Sequence, residues 1–215
     1  MAIEIKICGI NSRIALSTAV DNGAGYIGLI FYPPSPRAVT PEAAAKLAAV
    51  APRWLVKVGL LVDADDAAIA GILSRAPLDL LQLHGSETPR RVAEIRARFG
   101  RPVMKAVKIA SADDVAGAEA YCDVADRLLF DAKPPKGMTG TLPGGNAISF
   151  DWRLLAGRRW SRPWMLSGGL DAGNVAEAVR ISGAPAVDVS SGVEDRPGVK
   201  SPDKIRAFLR VAKAL

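Results

Sequence analysis

Short apolar runs alternate along this chain with longer amphipathic, alanine-rich stretches. Read as strands, the runs fall at 3–7, 26–31, 55–62, 78–83, 103–107, 127–130, 164–166 and 186–189. The stretches between them read as helices at 12–22, 41–51, 65–75, 89–99, 112–121, 151–156, 172–182 and 202–214. Ser12 and Thr40 suit N-caps, and Pro41 and Pro202 suit a first helical position. Strict strand-then-helix order implies a parallel sheet. Eight such units closing on themselves make a (β/α)8 barrel. The rival, an open doubly wound sheet, usually has fewer strands and carries a GxGxxG turn after its first strand, which is missing here. No linker divides the chain, so residues 1–215 are predicted to form a single-domain α/β barrel. At 215 residues it would be a trimmed one, since such barrels need about 200 at least.

Composition changes this picture little. The formal net charge of +6 is spread over segments around Arg90–Arg101, Arg153–Arg162 and Lys200–Lys213. No basic run is interleaved with aromatics as a single-strand groove requires. These charges therefore read as solvated surface, and neither nucleic acid nor a membrane is an expected partner. The start, MAIEIKICGI, lacks an apolar signal core, and no apolar run approaches the ~18 residues of a membrane span. Two cysteines and one histidine supply neither a disulfide framework nor a zinc set. The expected setting is the cytoplasm, with no metal, no cofactor and no obligate protein partner.

Barrel chemistry sits at the carboxyl ends of the strands. Those ends carry Cys8-Gly9, Ser35-Pro36-Arg37, Gln82-Leu83-His84-Gly85, Asp131, Ser167-Gly168-Gly169 and Asp188-Val189-Ser190-Ser191-Gly192. Strand alternation turns Ile3, Ile5 and Ile7 toward the helices and Glu4, Lys6 and Cys8 into the barrel. By the same parity Asp188 and Ser190 face inward, and Gln82 and His84 share a face. Cys8, His84, Asp131 and Asp188 can thus converge on one mouth. Taken singly, each has a plainer reading: Cys8 a small buried hydrophobe, His84 a structural histidine, Asp131 a turn residue, Arg37 a solvated loop charge. Glycine-rich turns after the last two strands offer backbone N–H groups to a phosphate. The stretch 131–146, DAKPPKGMTGTLPGGN, has four glycines, three prolines and no periodicity. Loops of that length in compact domains are usually functional or disordered; 133–146 is expected to be a lid that orders over substrate.

The segments KICGI (6–10), GYIGLIFYPPSPR (25–37), LLQLHG (80–85), FDAKPP (130–135), FDW (150–152), LSGGL (166–170) and VDVSSGVEDRPGVKSPDKI (187–205) occur in collinear order over nearly the whole chain. Together they resemble the phosphoribosylanthranilate isomerases of tryptophan biosynthesis. Where many members carry a compact GGTG-type segment before FDW, this chain reads GMTGTLPGGN. The resemblance implies a cofactor-free Amadori rearrangement of a small phosphorylated substrate. Carried over by motif, Cys8 would be the general base and Asp131 the general acid. Arg37 would meet the anthranilate carboxylate, Gly168, Gly169, Ser191 and Gly192 the phosphate, and His84 and Asp188 would also line the substrate site. Other readings are a different phosphosugar barrel, such as an epimerase or indole-forming synthase, and a non-catalytic nucleic-acid-binding protein. A metal-dependent epimerase would want more than one histidine. The synthase would want lysine and glutamate where KICG offers a cysteine.

Overall fold

The computed structural model describes residues 3–135, 137 and 142–215. Eight strands, β1 (Glu4–Cys8), β2 (Tyr26–Ile30), β3 (Val56–Leu61), β4 (Leu80–Leu83), β5 (Val103–Ile109), β6 (Arg127–Ala132), β7 (Trp164–Leu166) and β8 (Ala186–Val189), pair in parallel in chain order and close into a barrel. Closure pairs β1 with β8, placing Lys6 opposite Asp188. Helices α1 (Arg13–Asp21), α2 (Pro41–Val50), α3 (Asp66–Leu73), α4 (Pro89–Phe99), α5 (Ala112–Gly117), α6 (Val175–Ser182) and α7 (Pro202–Ala212) occupy the connections.

Local chemistry sets their starts. The side chains of Ser12, Thr40, Asp65 and Thr88 each accept the backbone N–H three residues on, satisfying a donor the helix leaves unpaired. Ser111 and Asp114 form a reciprocal capping box. The strands' outward residues, Ile5, Ile7, Ile27 and Leu29 among them, join the helices in the main core. A second core fills the barrel's lower interior with Tyr26, Val58, Leu80, Met104, Leu129 and Met165. Above that plug the interior turns polar, and the site begins there. Among the described residues no helix is long and apolar enough to cross a membrane.

Several expected bounds shift. β4 begins at Leu80 rather than 78, because the Asp79 carboxylate takes the Lys57 N–H that a ladder carbonyl would otherwise receive. The helix expected at 151–156 is one 3-10 turn, Trp152–Leu155, capped by Asp151 and ended by Gly157 at φ +70°. Too few residues separate those two stops for a full α-turn and its continuation. α6 starts at Val175 rather than 172, since Asp171 Oδ1 holds the Gly173 and Asn174 N–H groups in a turn before it. An antiparallel hairpin absent from the sequence reading, β9 (Glu194–Arg196) and β10 (Val199–Lys200), follows β8. Lys200, read above as surface charge, is buried in it. The expected lid, 133–146, lies partly outside the described residues.

Candidate active site

Cys8 ends β1 and faces the barrel mouth, 3% exposed. Its register partner is Gly28 on β2, where a Cβ would come 2.6 Å from Sγ; only glycine leaves the thiol its place. Two residues earlier on the same face lies Lys6, fully buried, with Nζ 2.9 Å from Asp188 Oδ1. Burial disfavours the Lys6 ammonium, but Asp188 and the neighbouring thiol outweigh it and leave the amine more basic than usual. For Cys8 burial wins: it pushes the thiol above its ordinary 9.0, although Lys6 and Lys200 pull it down. Asp188 is engaged on both oxygens, since Ser167 Oγ donates to Oδ2 at 3.3 Å.

Asp131 stands across the mouth, near the end of β6. Its Oδ1 accepts the Ala132 N–H at 2.9 Å, and its Oδ2 lies 3.0 Å from His84 Nε2. His84 follows β4 and meets Gln82 through Nδ1 at 2.8 Å. The β4 loop that carries His84 is itself pinned. Glu87 accepts the N–H groups of Asp63 and Gly85 and pairs with Lys105 at 2.7 Å. Gly144 passes over this pair so closely that a Cβ there would lie 2.8 Å from His84 Nε2 and 2.9 Å from Asp131 Oδ2. The described end of the 131–146 loop therefore covers the carboxyl, braced by Asn146, whose side chain bonds both Leu142 N and Leu142 O.

Arg37, 3% exposed, is gripped by the hairpin. Glu194 takes Nε at 2.8 Å and Nη2 at 2.9 Å, the parallel fork geometry that makes Arg–carboxylate pairs specific. Lys200 Nζ adds a second cation to the same Glu194, at 2.8 Å, and also donates to Ser190 O. Burial opposes the Glu194 charge, yet Arg37 and Lys200 bring its carboxyl below the usual range. This buried cluster holds two cations and one anion, so an anion arriving in the cavity would balance it. Nη1 lies on the side of the guanidinium that Glu194 leaves open. Ile30, Leu60, Tyr32 and Val62 line the cavity on the side of Arg37 and Cys8 and make it largely apolar.

The opposite end of the mouth is built by backbone. Gly168, Gly169 and Ser191 line a recess beside Asp131 and Asp188, at the carboxyl ends of β7 and β8. Among the described residues, the N–H groups of Gly168, Gly169, Ser191 and Gly192 have no acceptor. Gly192 lies behind the recess, against the Leu170 carbonyl, rather than in its wall. Gly169 has φ +63°, and a Cβ there would lie 2.8 Å from Ile148 C and 2.9 Å from Ser149 N. The structure thus brings Cys8, Arg37, His84, Asp131, Asp188, Gly168, Gly169 and Ser191 to one mouth. The sequence reading missed the supporting charges: Lys6 as a partner of Asp188, Glu87 with Lys105, and Glu194 with Lys200. The strongest available signal was parity, which already turned Lys6 inward.

A family model described as N-(5'phosphoribosyl)anthranilate (PRA) isomerase matches residues 5–211. The N-(5'-phosphoribosyl)anthranilate isomerase of Paramagnetospirillum magneticum is 61% identical over 99% of this chain and 98% of its own. That of Rhodospirillum centenum is 60% identical over the full length of both. Among solved structures, phosphoribosyl anthranilate isomerase from Thermotoga maritima superposes with a TM-score of 0.88 at 35% identity, covering 99% of this chain and all of that one. One crystallised with reduced 1-(o-carboxyphenylamino)-1-deoxyribulose 5-phosphate gives 0.84 at 33%, with the same coverage. With these matches running the length of the barrel, this chain belongs to the phosphoribosylanthranilate isomerase family.

Proposed function

We propose that this chain converts N-(5-phosphoribosyl)anthranilate to 1-(2-carboxyphenylamino)-1-deoxyribulose 5-phosphate, with Asp131 as general acid and Cys8 as general base. The observation that carries the division of roles is that a carboxyl and a thiol line one cavity from different strands. The anthranilate ring fits the apolar side of the cavity with its carboxylate toward Arg37, and the phosphate fits the N–H recess at the other end.

The steps balance on these two groups. Asp131 gives its proton to the ribose ring oxygen; the C1–O bond breaks and the nitrogen lone pair forms the iminium C1=N. Cys8 thiolate takes the proton from C2, whose electrons become the C1=C2 bond of an enolamine while nitrogen recovers its pair. The enol proton leaves oxygen, a proton arrives at C1, and the C2 ketone remains. Asp131 ends without its proton and Cys8 with one, so a proton must pass from thiol to carboxyl, through solvent, before the next turnover. Lys6 stands where it stabilises the thiolate of the starting state. Covering the mouth protects the iminium from hydrolysis. We propose this role for the described end of the stretch, where Gly144 passes over Asp131 and His84.

The test is the loss of fluorescence of freshly made phosphoribosylanthranilate on adding purified protein. No decay at micromolar enzyme overturns the assignment. The phosphate recess carries its own check. In Gly169→Val the side chain meets the backbone of 148–149 and occupies a left-handed conformation. Hydrogen bonds to a charged group contribute about 1.5–3 kcal/mol each, so displacing even one should raise KM roughly tenfold to a hundredfold. Steady-state kinetics that left KM unchanged would remove the phosphate from this recess.

A further inference from the structure

Gln82 is a polar side chain of the inner barrel that the mechanism above does not use. It is fully buried, its Nε2 lies 2.8 Å from His84 Nδ1, and its Oε1 has no partner among the described residues. His84 in turn reaches Asp131 through its other nitrogen. The three side chains form a line from the barrel interior to the reacting carboxyl.

We infer that Gln82 is a positioning residue: by donating to Nδ1 it holds neutral His84 in the Nε2–H tautomer, so that the histidine always presents a hydrogen-bond donor to Asp131. This rests on the acid role proposed for Asp131. An amide N–H can only donate, so Nδ1 must carry a lone pair and the ring proton must sit on Nε2. The opposite amide orientation would set the carbonyl oxygen against Nδ1, draw the ring proton there and turn a bare ring nitrogen toward Asp131. With the Nε2–H tautomer, the Asp131 carboxylate formed on proton transfer has two donors waiting, His84 Nε2–H and Ala132 N–H. The geometry thus sets the donor's tautomer through a residue that does not itself bond Asp131.

His84 is the chain's single histidine, which makes the test direct. Full-length protein, labelled with 15N-histidine and freed of any histidine tag, should show one pyridine-type resonance for Nδ1 and one pyrrole-type resonance for Nε2 at neutral pH. A ring protonated at Nδ1, or at both nitrogens, in the wild type would overturn the inference. Gln82→Met removes the donor at similar volume. It should let the second tautomer appear and lower kcat roughly tenfold, the worth of about one hydrogen bond, with KM within about twofold because neither end of the substrate is touched. Gln82→Glu replaces the donor by an acceptor and should bring a proton to Nδ1, lowering kcat further and moving the acid limb of its pH profile. Unchanged tautomer and unchanged kcat in either variant would sink the idea, and the isosteric Gln82→Glu decides it should Gln82→Met fail to fold. A wild type without isomerase activity would instead count against the proposed function, leaving the ring resonances to judge Gln82 alone.

Discussion

Replacing Cys8 with alanine is expected to lower kcat by at least about 10²–10⁴-fold while product-analogue affinity stays nearly intact. Among the described residues of the mouth the other candidates are already engaged: Lys6 and Asp188 with each other, Asp188 also with Ser167, and His84 at both nitrogens. Cys8→Ser should fail almost as badly, because a hydroxyl in the same buried place yields its proton far less readily. Cys122, half-buried after the 3-10 turn Ala118–Tyr121, is the control, and Cys122→Ala should turn over normally. The pH profile adds a sharper demand. The competent state carries one proton on the pair, on Asp131 and not on Cys8. That proton is shared by the pair, and activity ends when the pair gives it up. The alkaline limb belongs to the thiol, which burial raises while Lys6 and Lys200 face it with positive charge and Asp188 with negative. It should therefore fall above the pH of an ordinary thiol. A decline already complete at pH 8, or a Cys8→Ala enzyme that kept most of its kcat, would send the base elsewhere.

Asp131→Asn is expected to be comparably severe, again about 10²–10⁴-fold in kcat with little change in KM. The amide keeps the shape, and although its single oxygen can accept from only one of His84 and Ala132 in this geometry, the loop frame and both substrate ends should survive. What it lacks is a proton to give to the ring oxygen. The loss should therefore fall on ring opening. A pre-opened analogue that needs only proton removal at C2 should suffer much less in this variant than in Cys8→Ala. Equal losses on both substrates would mean that Asp131 acts at another step.

The alternation of strands and helices was legible because a parallel barrel buries each strand on both faces, which writes short apolar runs into the sequence. Parity along β1 and β8 correctly turned Lys6, Cys8 and Asp188 inward. Some of the misses are partnerships that form only in the folded chain, and others are short local elements. Lys200 reads as one more basic residue until Glu194 and Arg37 are seen beside it, and Arg37 is 157 positions from Glu194. The β9–β10 hairpin is too short and too polar to mark itself by hydrophobicity; its register comes from Gly198 at φ +83° and the buried Glu194. The sixth helix was over-read because six residues of helical composition do not reveal the stops at Asp151 and Gly157.

The seam between the first and last strands has a bearing on how the molecule comes into being. Lys6 and Asp188 are 182 residues apart, so at about 5–20 residues per second the ribosome exposes the lysine many seconds before its counter-ion exists. Until then an emerging chain would have to hold an unpaired ammonium in the closing interior or keep its first strand away from it. The ion pair therefore penalises premature collapse and rewards only the complete ring. A nascent or nicked chain ending before β8 should lack a working thiol and remain open, and loss of the last βα unit should be felt at the first strand.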